Sequence, residues 1–263
     1  MSMSELAKHG ALEQRSHDGW GMAYYEGPDV RLIKEAGPAD RSDWIPVIRS
    51  MKLESRIVIA HIRRMSKGER EYRNTQPFVR ELGGRKHTFA HNGDLGESFA
   101  RTLSVGSFRP IGTTDSEFAF CSLLGLLEPL WRRVDKTPTL SERLTVIQEF
   151  AKTIRLLGPA NFIYSDGDVV FAHGHVRRQA DGVFRPPGLY RLTRPCVEPN
   201  AFETPPVSIT GRTQQGVTLL ASVPLSDEPW EPAETGKVLV VKNGEVVGGV
   251  LERKSHGDLK TAE

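Results

Sequence analysis

The sequence predicts an α+β fold, with helices packed on antiparallel sheets. Three observations predict it. Strand-like runs occupy much of the chain up to Gly93. Two long helical patterns follow, between Thr114 and Gly158. The chain then returns to β-patterned runs, broken by Asp166-Gly167 and Asn243-Gly244. Strands and helices fall in blocks, unlike the βαβ alternation of a parallel sheet.

Each element rests on its own pattern. "SMSELAKHG" reads as a short helix that Ser4 caps and Gly10 ends. "GMAYYEG" and "VRLIKEAG" are short strands separated by Gly27-Pro28. "RIVIAHIRR" is β-branched and apolar, a buried strand, and "HTFAHNG" is another that ends at Gly93. In "TTDSEFAFCSLLGLLEPLWRR", Thr114 and Glu117 have capping-box spacing, and Phe118, Cys121, Leu124 and Leu127 recur at helical intervals. In "TLSERLTVIQEFAKTIRLLGP", Thr139 and Glu142 repeat the box, Leu144, Ile147, Phe150, Ala151 and Ile154 form the stripe, and Gly158-Pro159 stops it. "NFIYSDGDVVFAHGH" is a hairpin turning at Asp166-Gly167, "VTLLASVPL" a strand, and "KVLVVKNGEVVGGV" a hairpin turning at Asn243-Gly244. The proline-rich stretch 177–215 is either an irregular loop or a set of extended strands. One domain is expected over 1–253, followed by a polar tail, 254–263.

Composition narrows the function classes. A net charge of +2 on 263 residues gives no pull toward nucleic acid or an anionic membrane. No run of eighteen apolar residues suggests a membrane span, and "MSMSELAKHG" lacks an apolar signal core, so a cytoplasmic protein is expected. Two cysteines, Cys121 and Cys196, are too few for a disulfide framework and form no CxxC pattern. No nucleophile elbow or phosphate-cradling glycine loop is present, and neither a metal nor a cofactor is expected.

Four places carry candidate chemistry. Arg63, in "AHIRR", ends a strand; it is either a surface arginine or a fork that holds a carboxylate by two parallel hydrogen bonds. Asn92 and Gly93, in "AHNGD", offer two adjacent neutral donors suited to a developing oxyanion, but Asn-Gly is also the strongest hairpin-turn dipeptide. The following "DLGESFARTL" does not alternate as a return strand would. Asp115, in "GTTDSE", is either a carboxylate placed to suit a helix dipole or an anion that grips an ammonium. "HDGWG" suggests a strand entry that another backbone approaches closely. His17, His87, His91, His173 and His175 have no carboxylate or cysteine pattern around them. Cys121 lies on the apolar helix face, as a core residue would.

In order, "HDGWGMAYYEG", "AHIRRMSKG", "NTQPFVRELGGRKHTFAHNGDL", "GTTDSEFAF", "SDGDVVFAHGH" and "ASVPLSDEPW" resemble the class II glutamine amidotransferases, a branch of the N-terminal-nucleophile hydrolases. The match spans roughly residues 17–230 and is similar to the small stand-alone members. The resemblance implies a four-layer αββα sandwich of two antiparallel sheets between helices. It implies that Arg63 holds the α-carboxylate of glutamine, that Asp115 holds its α-ammonium, and that Asn92 and Gly93 form the oxyanion hole. The partners so implied are glutamine or a γ-glutamyl compound, and a separate ammonia-accepting enzyme. The family attacks the side-chain amide with an N-terminal cysteine, whose amino group helps to move the proton. This sequence starts Met1-Ser2-Met3-Ser4 and has no cysteine before residue 121, so the expected form is inactive. The first strand of the family fold is expected to be missing with the nucleophile. A chain starting late, at an internal methionine, is one explanation; a degenerate member that binds glutamine or a γ-glutamyl compound without chemistry is the other.

Overall fold

A computed structural model describes residues 18–51, 53–64, 69–133, 136–195, 202–204, 207–209 and 216–248. The helix expected on "SMSELAKHG" and the expected polar tail lie outside these residues.

Two antiparallel sheets form the middle of the molecule. The first holds β1 (Gly19–Glu26), β2 (Asp29–Glu35) and β3 (Val58–Arg63) in the order β2-β1-β3. A short helix, α1 (Trp44–Ser50), joins β2 to β3, and its Ile45 packs with Trp20, Ile33 and Ile62 on the outer face. The expected buried run in β3 is only half buried: Ile59 and Arg63 are covered, whereas Val58 and Ala60 are exposed. The reason is placement, since β3 is an edge strand among the described residues and a seven-residue helix cannot roof the whole outer face.

The second sheet has six strands. β4 (Phe78–Leu82) and β5 (Arg85–Gly93) turn at Gly83-Gly84. The chain then passes through a short helix, α2 (Phe99–Thr102), into α3 (Asp115–Trp131) and α4 (Leu140–Ile154). It re-enters the sheet as β6 (Ala160–Ser165) and β7 (Val170–His173). Short ladders follow: β8 (Arg177–Arg178) with β9 (Phe184–Arg185), β11 (Phe202–Thr204) with β12 (Val207–Ile209), and β10 (Tyr190–Pro195) between β13 (Gly216–Ala221) and β14 (Glu231–Pro232). Much of the 177–215 stretch is therefore extended chain. β15 (Val238–Lys242) and β16 (Glu245–Gly248) complete the large sheet, whose order is β16-β15-β7-β6-β5-β4.

Alternation along the strands sorts the faces. Odd residues of β5 meet α3: Phe89 stacks on Phe120 at 5.3 Å and on Phe162 at 5.6 Å, above Phe150 of α4. Even residues of β5 face the first sheet. Tyr25 of β1 crosses that gap and donates to the carbonyl oxygens of Lys86, at 3.1 Å, and Ser165, at 2.9 Å. The layers are thus helix, sheet, sheet, helix, as expected for α+β.

Local chemistry explains the helix starts. Thr139 and Glu142 make a complete capping box at α4. At α3 only half forms: Thr114 accepts from the Glu117 N–H, while the Glu117 carboxylate turns instead to Arg80 and to the Gly112 N–H.

Candidate functional site

The site is built at one end of the gap between the sheets. β3 and β5 run side by side with the same polarity. Tyr25, near the start of β3, bonds to Lys86 at the start of β5, and His61 lies against the His91 backbone further along. Arg63 and Gly93 therefore come out at the same end. Alternation turns Arg63 and Asn92 into the same gap, since His61 and Arg63 share the inner face of β3 and Asn92 has the parity that faces it.

The Asn92-Gly93 pair is the end of a strand and not a hairpin corner. Asn92 pairs with Asn161 and Gly93 with Ala160, after which the chain leaves the sheet toward α2. A side chain at Gly93 would put Cβ 1.8 Å from the Pro159 carbonyl oxygen, so packing against the 158–160 segment demands glycine. The Asn92 side chain is exposed at this end.

Beside them, β4 stops pairing at Phe78, and a side chain takes over the edge of β5. Gln76 Oε1 accepts from the His91 N–H at 2.6 Å, and its Nε2 donates to the His91 carbonyl at 3.0 Å. A carboxamide thus imitates one more strand residue. The carbonyl of Gln76 presses on β1, where a Cβ at Gly21 would lie 2.3 Å from it. This is the close backbone approach that "HDGWG" signals.

The remaining motifs are hydrogen-bonded into the same assembly. Arg63 is 4% exposed, and its Nη1 donates to the Glu69 carbonyl at 3.1 Å. Burial lowers its pKa, partly offset by the Asp18 carboxylate, which forms an ion pair with Arg70. Asn74, wholly buried, donates to the same Glu69 carbonyl and accepts from the Thr113 N–H at 2.8 Å. That bond brings in the loop preceding α3. Asp115, 4% exposed, accepts from the Leu95 N–H at 2.7 Å and from the Ser116 N–H at 2.8 Å. Oδ2 takes one of these contacts, whereas Oδ1 also takes the Ser116 hydroxyl at 3.4 Å, so the spare lone pair is on Oδ2. His91 Nδ1 lies 2.9 Å from Ser116 Oγ, joining β5 to α3, and its Nε2 faces the Pro159 carbonyl short of a well-aligned hydrogen bond. Burial lowers the pKa of His91, which keeps the ring neutral at pH 7.

Ser116, His91 and Asp115 form a contiguous set, but not a hydrolytic triad. The Ser116 hydroxyl lies between the imidazole and the carboxylate, and all three side chains are buried. Cys121 is fully buried in α3, and burial pushes its thiol up to about 11, so it is core. Among the described residues no three His, Cys, Asp or Glu side chains converge to hold a metal.

The polar supports of the site, Asn74, Gln76, Ser116 and Asn161, were not singled out by sequence pattern. Their signal is a polar residue inside or just before an apolar strand or helix, as Asn161 opens "NFIYS". That pattern alone names no partner. A shallow cleft of about 370 Å³ lined by Lys34, Glu35, Arg41, Ser42 and Tyr72 is separate from these residues.

Comparison with known proteins shows the family. The family model described as class-II glutamine amidotransferases matches residues 1–262. An uncharacterised protein of Methanocaldococcus jannaschii is 34% identical over 245 residues, 90% of this chain; the chain spans only 65% of that relative's length. Escherichia coli YafJ, provisionally named a glutamine amidotransferase, is 34% identical over 239 residues, covering 90% of this chain and 89% of YafJ. A Pseudomonas aeruginosa crystal structure titled a predicted glutamine amidotransferase superposes with a TM-score of 0.65 at 31% identity, over 88% of this chain and 87% of that one. The chain belongs to the class II glutamine amidotransferase family.

Proposed function

We propose that the protein binds glutamine, or a compound with a γ-glutamyl group, at the end of the inter-sheet gap. The side-chain amide of that ligand is the source of ammonia for a separate acceptor. The observation that carries this is that hydrogen bonds tie together the segments bearing the candidate residues: Arg63 and Asn74 share the Glu69 carbonyl, Asn74 holds Thr113 two residues before Asp115, and Asp115 holds Leu95 two residues after Gly93. Arg63 takes the α-carboxylate through its guanidinium fork. Asp115 takes the α-ammonium with the spare lone pair of Oδ2. The Asn92 amide and the Gly93 N–H receive the side-chain carbonyl oxygen, where negative charge develops on attack.

Hydrolysis also needs a nucleophile, which the family supplies from an N-terminal cysteine. Residues 1–120 contain no cysteine, and the buried Cys121 does not serve. Glutamine binding is therefore the direct test. Calorimetry is expected to show heat of binding for the chain as it stands, and loss of more than tenfold in affinity for Arg63→Ala, about the strength of one charge-assisted pair. Absence of heat with wild-type protein would refute the proposal.

A further inference from the structure

We infer that Asn161 is a positioning residue that sets and polarises the Asn92–Gly93 peptide, and so tunes the Gly93 N–H as a donor to a ligand oxygen. This rests on the glutamine site proposed above and assigns a role to a residue outside it.

The geometry is specific. Asn161 is 2% exposed on β6, directly opposite Asn92. Its Oδ1 accepts from the His175 N–H at 2.7 Å, which fixes which end of the carboxamide is nitrogen. Its Nδ2 then donates twice, to the Asn92 carbonyl at 2.9 Å and to the Val176 carbonyl at 2.8 Å. Three of the four bonding positions of the carboxamide are filled, so the group is held from two sides and cannot rotate freely.

The carbonyl it holds belongs to the peptide unit whose nitrogen is Gly93. A peptide is planar and trans, so fixing the direction of C=O fixes the opposite direction of N–H. Alternation gives that direction. The His91 N–H points to the edge occupied by Gln76, and the N–H two residues on points to the same edge, beyond the place where Gln76 ends. A hydrogen bond to the Asn92 oxygen also draws electron density along the amide. That leaves the Gly93 N–H more positive, the cooperative strengthening known for chains of hydrogen bonds in a low-dielectric interior. Asn161 does this from the far side of β5, where it touches no ligand. Gln76, by comparison, acts on the neighbouring peptide groups at His91 and leaves the Asn92–Gly93 unit alone.

The test uses Asn161→Asp and Asn161→Ala in the full chain. Asn161→Asp keeps the shape and the acceptor for His175 but removes both donors. In ¹H–¹⁵N spectra of the unliganded protein, the Gly93 amide proton is expected to move upfield in both variants, while distant amides such as that of Gly125 stay in place. Glutamine is expected to bind these variants about three- to tenfold more weakly, the range of one neutral hydrogen bond weakened. Should Asn161→Ala fail to fold, Asn161→Asp carries both measurements. A Gly93 amide unmoved in the folded Asn161→Asp variant overturns the inference. If wild-type protein does not bind glutamine, the proposed function fails, and the unliganded Gly93 shift still decides the role of Asn161.

Discussion

Gly93 shows how a single missing side chain shapes the candidate site. Its φ is not in the left-handed region, so backbone freedom is not what demands glycine. The demand is steric, from a backbone carbonyl that cannot swing away as a side chain would. Gly93→Ala is expected to destabilise the fold by about 1–3 kcal/mol, the cost of forced overpacking, and to displace the Gly93 N–H from the site. Urea unfolding measures the first effect; an alanine variant as stable as wild type would contradict it. Of the four residues singled out from the sequence, Arg63 and Asp115 are buried in hydrogen bonds to the segments around them, and Asn92 and Gly93 end β5. Their supports did not stand out, because a support is defined by a distant partner. Gln76 serves a backbone 15 residues away, and Asn161 one that is 69 residues away.

Among the elements, α3 and α4 were legible because each announces itself locally, by an N-cap threonine and an apolar stripe. α1 and β4 did not. α1 has only seven residues with Pro46 in its first turn, and β4 is a five-residue strand that follows a proline. What anchors α4 is also non-local. Arg143, 3% exposed, pairs with Asp166 at 2.7 Å and with Asp168 at 3.0 Å, in and just after the turn that leaves β6. Asp166 is wholly buried, and its Oδ1 accepts from the Asp168 and Val169 N–H groups. Arg143→Met strands that carboxylate without its cation, which is expected to cost about 3–5 kcal/mol. Adding Asp166→Asn should recover part of the loss, because the amide oxygen still serves the turn and no buried charge remains. Denaturant midpoints of the single and double variants check this; a double variant no more stable than Arg143→Met would show that the ion pair is not the reason.

At the scale of the whole molecule, the layers trap ionisable rings where water cannot reach them, and this sets how stability follows pH. His87 and His173 are fully buried, and desolvation lowers each from 6.5 to about 4. Both are bonded as neutral rings. His87 Nε2 faces the Leu82 carbonyl at 3.0 Å and so carries the proton, which leaves Nδ1 to accept from the Tyr164 hydroxyl at 2.6 Å. His173 Nδ1 donates to the Ala160 carbonyl at 2.7 Å. His91 is shifted in the same direction. A ring with a lowered folded pKa binds fewer protons folded than unfolded between the two values, so stability falls as pH falls through that window. The window here runs from 6.5 down to about 4. At one pKa unit per roughly 1.4 kcal/mol, each of the two rings withdraws up to about 3 kcal/mol by its lower end. Together they are comparable with the whole stability of an ordinary domain, on the order of 5–15 kcal/mol. The alkaline side behaves differently. Tyr25 is raised to about 12 by burial, so its contribution is lost only as pH rises above 10. Lys34, lowered to about 8, acts in the opposite sense and gains stability between about 8 and 10.5. Urea midpoints are therefore expected to drop steeply from pH 6.5 toward 4, to hold level from 7 to 8, and to rise from 8 toward 10 as Lys34 titrates. His87→Gln should make that acid drop shallower, since the glutamine amide keeps a donor and an acceptor but takes up no proton. An acid limb of unchanged slope in the variant would remove His87 from its cause.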